Sequence, residues 1–345
     1  MYPLSDATVR PKAAPEITVP QPEEAGETWA RSTQVRRTLK DAVPAAWFQP
    51  NNAYGWSVTL RVIVPLVLAL ALCPYVYARF SWWSFFLLVP LVGTALYKLQ
   101  FVLHDCAHKS LFETKRWNEQ VGAVCGWLAG ANFPVYRHIH WRHHRFNGEL
   151  VDPQLPDYLD DRPVSKAEYG WFLLSPLVGG RILGYLRREM GSLFGVQPVT
   201  TAAVKGGEKV PRIGLGWVAI VVATQLAIAT LATGGWRYPV LALVYPLGAA
   251  FIALFLSRLR TIAEHHQAFE GKVDDFSRSH HPAILDRVFL YDAHFNYHFE
   301  HHIFPHMPSN RLGEFSRRFG AQFHGPDTQA KSMFGTIVRF MSQPR

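Results

Sequence analysis

A chain of 345 residues, 49% of them apolar and with 11 Trp and 23 Phe, has room for one large domain or two ordinary ones. Its formal net charge of +9 admits nucleic acid, an anionic membrane or an acidic protein as partner, but apolar runs accompany the charge and no nucleic-acid motif does. The three cysteines (Cys73, Cys106 and Cys125) show no CxxC spacing, which excludes a disulfide framework and a thiolate zinc site and leaves imidazole to hold any metal.

Residues 1–50 are Pro-rich and charged, with no basic stretch leading into an apolar one. They predict a disordered polar tail without a cleavable signal peptide, ordered at most near Trp47–Phe48. Apolar runs over 56–77 and 82–103 follow, each about 20 residues, enough to span a hydrocarbon core of roughly 30 Å. The break between them, Ala78–Ser81, is so short that they form a tight antiparallel hairpin. The segment 121–135 is too short and Gly-rich for a span. Residues 168–196 mix aromatic and aliphatic positions with Arg181, Arg187 and Arg188 and read as interfacial amphipathic helix. After a loop at Gly206–Gly207, runs over 213–233 and 238–257 make a second hairpin around Gly234–Arg237. The remainder is polar, and 326–345 reads as a C-terminal tail.

Two hairpins put both termini and the middle region on one side, and these segments hold nearly all Lys and Arg. Each short turn holds one, Arg79 and Arg237, so the shared side is expected to be cytoplasmic. The expected fold is all-α and integral to the membrane: four transmembrane helices in two hairpins with a cytoplasmic helical cap, spanning 51–325.

Three clusters on that side carry the chemistry. His104 and His108 end the second span at an i,i+4 spacing. His140, His143 and His144 form one triplet, and His298, His301 and His302 form another of the same spacing, which places the imidazoles on one helical face. With His265 at the foot of the fourth span (or its neighbour His266), about nine ligands are available. One ion takes four to six, so the inventory suits two ions, and nitrogen-dominated ligation favours iron and dioxygen chemistry over Mg or Ca. Asp105, Asp152, Glu264, Asp292, Glu300 and Asn296 are candidates for fixing the imidazole tautomers. A zincin motif is excluded because no Glu lies between His104 and His108. A His-rich metal transporter or sensor would carry polar residues at mid-span, and Gln225 is the main one found.

The set H-x3-H, H-x2-H-H and H-x2-H-H, with two hairpins between, resembles the membrane fatty acid desaturase family. The phrase Asn296–Tyr297–His298–Phe299–Glu300–His301–His302–Ile303–Phe304–Pro305 is particularly close. The resemblance covers roughly 55–310, and His265 matches the position of an extra ligand. It implies two irons that activate dioxygen, so that hydrogen is removed from an unactivated C–H of a lipid chain. A second abstraction gives a double bond, whereas oxygen transfer gives a hydroxyl. Related carotenoid ketolases and hydroxylases and alkane hydroxylases share the box logic, and the run Asn147–Pro153 is similar to that of the ketolase branch. The expected partners are an acyl lipid and an external electron donor, ferredoxin-like or a cytochrome, because no Rossmann fingerprint, CxxCH or iron–sulfur cysteine set is present. The expected location is a bacterial inner membrane.

Overall fold

The computed structural model describes residues 35–148, 152–157, 165–184, 214–266, 277–324, 329–330 and 332–342. The tail over 1–34, the end of the interfacial segment beyond 184 and the Gly206–Gly207 loop lie outside them. Helix dominates the described residues, and three stretches are long and apolar enough to cross a membrane: Asn52–Ala107, Leu215–Ala232 and Pro239–His265.

The first stretch is two helices. Asn51 caps α1 (Asn52–Phe80) by accepting from the Tyr54 amide at 3.0 Å. The chain breaks at Ser81, whose φ of 49° is foreign to a helix, and resumes through a 3-10 turn as α2 (Phe85–Ala107). The two pack together through Val58, Val62, Leu66 and Cys73 on one side and Leu88, Val92 and Leu96 on the other. The opposite face of α1 leaves Leu60, Val67 and Leu68 more than half exposed, an apolar stripe suited to lipid rather than water.

α2 runs beyond the apolar stretch and delivers the first histidine pair to the cap. There α3 (Lys115–Ala129) packs on it and ends at Gly130, whose φ of 82° is the left-handed conformation that glycine adopts without penalty. Asn132 then caps α4 (Phe133–Phe146), which carries the second histidine cluster. α5 (Lys166–Leu174) starts on a capping box of Ser165 and Glu168.

α6 (Leu215–Ala232) leads through a 3-10 turn to a continuous rod: α7 (Val244–Leu247), a π-helical turn (Gly248–Ala253) and α8 (Leu254–His265). The rod crosses α2 where Gly93 meets Gly248. A β-carbon on Gly93 would lie 2.7 Å from the Gly248 carbonyl oxygen, so the crossing depends on glycine.

The cap closes with β1 (Ser279–His280), α9 (Ile284–Phe289), α10 (His298–Ile303), α11 (Ser309–Phe323), β2 (Gln329–Ala330) and α12 (Met333–Ser342). β1 and β2 pair in parallel, Ser279 opposite Gln329. Both expected tails are shorter than their sequence suggests. Val35, Leu39, Val43 and Trp47 bury themselves against Phe299, Phe304 and Phe315, and Arg36 donates to the Ile303 carbonyl at 2.7 Å. At the other end Met333, Ile337 and Phe340 are buried, and α12 packs on α8. Their spaced apolar residues cover the cap, which their polar composition alone does not reveal.

Candidate metal centre

His104 leaves α2 one turn before its end, and His108 follows just past it. His140, His143 and His144 share one face of α4; His265 is the last residue of α8; His298, His301 and His302 line α10. All nine are buried, and their ligand-capable atoms fall into overlapping groups. His104, His108, His140, His144 and His301 form one; His143, His265 and His302 form a second; His298 joins His265 together with Glu264. Within each group these atoms lie within 4.8 Å of one another. His266 faces away, against the rings of Tyr169 and Phe340.

The nitrogens converge closely. Nε2 of His144 is 3.1 Å from Nε2 of both His140 and His301, and Nε2 of His265 is 2.9 Å from Nε2 of His298. One proton on His144 cannot bridge two neighbours at once, so these facing lone pairs call for a cation. Metal–nitrogen bonds of about 2.1 Å at right angles give edges of about 3.0 Å, which the observed spacings match. Burial, reinforced by the neighbouring imidazoles, holds His108, His140, His144, His298 and His301 well below the usual imidazole value, in the neutral form that ligates.

Two carboxylates lie against imidazole Nδ1 atoms. Asp105 lies 3.2 Å from Nδ1 of His104, and Asp152 has its two oxygens 3.0 and 3.1 Å from Nδ1 of His143. If each Nδ1 donates its proton to the carboxylate, Nε2 is left as the bare, inward-pointing nitrogen. Nε2 of His104 and of His143 is buried and has no hydrogen-bond partner among the described residues. Orphaned acceptors of this kind fit a metal ion. Asp105 also accepts from Ser309 Oγ at 2.8 Å, and the Ser309 hydroxyl oxygen meets Tyr54 OH at 3.1 Å, so α1, α2 and α11 are tied to one imidazole.

Glu264 is gripped by Arg260 Nε at 2.9 Å from both carboxylate oxygens, and it approaches His298 Nε2 to 3.6 Å. The Arg260 guanidinium lies over Phe101 and Phe295, at 5.0 and 5.1 Å from the ring centres.

Three expected tautomer-fixing residues do other work. Asp292 faces Lys98 at 3.9 Å, Glu300 accepts from His324 Nε2 at 2.8 Å and from Ser279 Oγ, and Asn296 donates to the His280 carbonyl. Glu300 lies between His298 and His301, on the far side of the short helix. Asp292 and Asn296 flank a turn with positive φ at Ala293 and His294 that swings them away. The sequence reading missed Asn147, 3.3 Å from Nδ1 of His302, together with Ser309, Tyr54 and Arg260. Only Arg260 left a local signal, its i,i+4 spacing to Glu264.

Helices suited to a membrane and a buried multi-histidine cluster at their cap-side ends that could hold metal define the class of protein. Residues 80–329 match the family model described as fatty acid desaturase. The chain is 25% identical to a dihydrorhizobitoxine desaturase of Bradyrhizobium elkanii, over 69% of this chain and 68% of that one. It is 26% identical to the human sphingolipid delta(4)-desaturase/C4-monooxygenase, over 81% and 79%. To the sn-1 acyl-lipid omega-3 desaturase (ferredoxin) of a Nostoc strain it is 28% identical, over 41% and 37%. The chain belongs to the fatty acid desaturase family, and it is an oxidoreductase of desaturase type.

Proposed function

We propose that this protein is an O2-dependent desaturase of lipid acyl chains holding two irons. The observation that supports it best is the division of the nine imidazoles. Five (His104, His108, His140, His144 and His301) would hold one ion, and four (His143, His265, His298 and His302) the other, with Glu264 beside them. Bound iron would supply the dioxygen activation needed to remove two hydrogens from an unactivated chain. The protein's own residues keep the imidazoles neutral by burial, orient them through Asp105 and Asp152, and exclude bulk water from the centre. In this reading the two halves of Asn52–Ala107 and the two later stretches are four spans in two hairpins, with the cap and both termini on the cytoplasmic side of a bacterial inner membrane. The basic balance supports that orientation and suits an acidic electron donor of ferredoxin type, and the Nostoc relative is itself named for ferredoxin.

One observation favours hydroxylation as a second outcome: the human relative is named as both desaturase and monooxygenase. Mass spectrometry of total lipids from a host supplying a ferredoxin system, beside the His301→Ala variant, separates the two. A new double bond seen only with the intact protein is the expected result. A hydroxylated lipid moves the activity to hydroxylation. No change in any lipid, with iron bound, rules the reading out.

A further inference from the structure

Away from the histidines lies a cavity of about 300 Å³ whose lining includes Arg61, Lys98, Arg287, Tyr291, Asp292 and His294. Three permanent cations face one carboxylate there. Arg61 and Arg287 each spend Nε on a nearby carbonyl, of Ser57 and Pro282. Their terminal amino groups have no hydrogen-bond or ion-pair partner among the described residues and are left for a ligand. Such a fork recognises phosphate or carboxylate oxygens.

The depth of the cavity narrows the source of that anion. Arg61 stands nine residues into α1 and Lys98 nine residues before the end of α2, so each lies about 13 Å below the cap-side end of its helix at 1.5 Å per residue. From Arg61 to Arg79 the chain carries no charge for about 27 Å of helix, close to the thickness of a hydrocarbon core. Arg61 and Lys98 therefore mark the bilayer surface. Tyr97 OH donates to the Leu290 carbonyl at 3.0 Å and pins the end of α9 at the same level.

α9 is inverted relative to a water-facing helix. Its buried residue is Asp286, which accepts from the amides of Ala283, Met333 and Phe334. Its outward residues are Ile284, Leu285, Val288 and Phe289, with Ile284 79% and Leu285 61% exposed. A helix that turns its carboxylate inward and its apolar residues outward, at headgroup depth, suits the interfacial layer of a membrane.

We propose that α9 is immersed in the bilayer interface and that the pocket of Arg61, Lys98 and Arg287 binds the phosphate of an anionic phospholipid. The proposal rests on the membrane placement given above and is independent of the reaction, because binding is read without turnover.

The test uses the full-length, metal-loaded protein in detergent, titrated by calorimetry with dioctanoyl phosphatidylglycerol, dioctanoyl phosphatidylcholine and inorganic phosphate. Saturable binding of phosphatidylglycerol is expected. At about 1 kcal/mol per basic residue, the double variant Arg61→Gln/Arg287→Gln should weaken it roughly 30-fold. Lys115→Gln/Arg116→Gln, which removes the same charge from the exposed start of α3, should leave it unchanged. Equal loss in both variants, equal binding of phosphatidylcholine, or competition by inorganic phosphate as strong as the lipid would each overturn the proposal. A second measurement covers a failure of the double variant to fold. Leu285→Cys carrying a nitroxide, in nanodiscs containing phosphatidylglycerol, should report a position inside the bilayer, and the native cysteines, all buried, leave the label selective. Aqueous exposure equal to that of a label at Glu314→Cys on α11 would sink it. Lipid binding with no lipid product would count against the desaturase reading alone.

Discussion

The five-histidine and four-histidine sets are built from the same residue type yet sit in different surroundings. The five-membered set is backed by a carboxylate, Asp105, that lies behind an imidazole and is itself held by the neutral hydroxyls of Ser309 and Tyr54. The four-membered set has fewer imidazoles and a carboxylate, Glu264, at its edge. That carboxylate is already held by Arg260. Two ions bound here would therefore meet unequal donor sets. One site has imidazoles to spare, whereas the other depends on each of its own and on an arginine that fixes the nearby charge.

The largest test of that inequality removes one imidazole from each side. His301→Ala and His143→Ala should both abolish turnover. Elemental analysis should show His143→Ala falling toward one iron per chain, because three imidazoles remain on that side, while His301→Ala leaves four and retains more metal. Full activity and full metal in either variant would refute the ligand assignment. Next in size, Arg260→Met strands the buried Glu264 carboxylate, and breaking a buried pair in this way costs about 3–5 kcal/mol. Ser309→Ala, on the other side, removes one bond to Asp105 and should cost about 1–3 kcal/mol. Denaturation in detergent compares them, and equal losses would erase the distinction.

The tautomer-fixing carboxylates come third. Losing such a partner typically lowers metal affinity about 10–100-fold. Asp152→Asn should sit at the upper end and Asp105→Asn at the lower, since Asp152 meets His143 with both oxygens and serves the smaller set. Competition with a chelator reads both values, and the reverse order would contradict the comparison.

Acid should act on both sets, through His298 in the smaller and through several members of the larger set. Four of its members, His108, His140, His144 and His301, are held below the usual imidazole value near 6.5 by burial and by one another. A histidine depressed in the folded state takes up its proton first in the unfolded chain. The metal-free protein should therefore keep its stability above about pH 6.5 and lose it as pH falls, by up to about 1.4 kcal/mol per histidine per pH unit. A thermal midpoint that stays level or rises between pH 7 and 5.5 would disprove this.

Much of this centre could be read from the chain. An i,i+4 pair and two HxxHH triplets place imidazoles on single helical faces whatever the tertiary fold, and long apolar runs announce themselves by length. Which neighbours support them could not be read in the same way. Asp105 and Asp152 lie against imidazole Nδ1 atoms, Glu264 instead lies against Arg260, and Glu300, equally close in sequence, falls on the opposite face and serves His324. Ser309 reaches Asp105 across 204 positions, a contact created by packing alone. The ends of the chain show the same limit: Trp47 and Phe340 belong to polar-looking segments and acquire their roles when the cap forms.

The smallest expected effect concerns Asn147, which faces Nδ1 of His302 in the four-membered set. If Nε2 of His302 is to bind metal, Nδ1 must carry the proton and donate it, so the amide must present its oxygen; the assignment of oxygen and nitrogen in such an amide follows from the network. A neutral bond of this kind is worth about 1 kcal/mol, so Asn147→Ala should weaken metal binding by about fivefold. Asn147→Asp offers a stronger acceptor and would make His302 resemble His143 beside Asp152, so its affinity should match or exceed that of the unaltered protein. Chelator competition on the two variants decides the matter. If the aspartate weakens binding as much as the alanine does, Asn147 donates to His302 instead, and His302 would have to ligate through the other nitrogen or not at all.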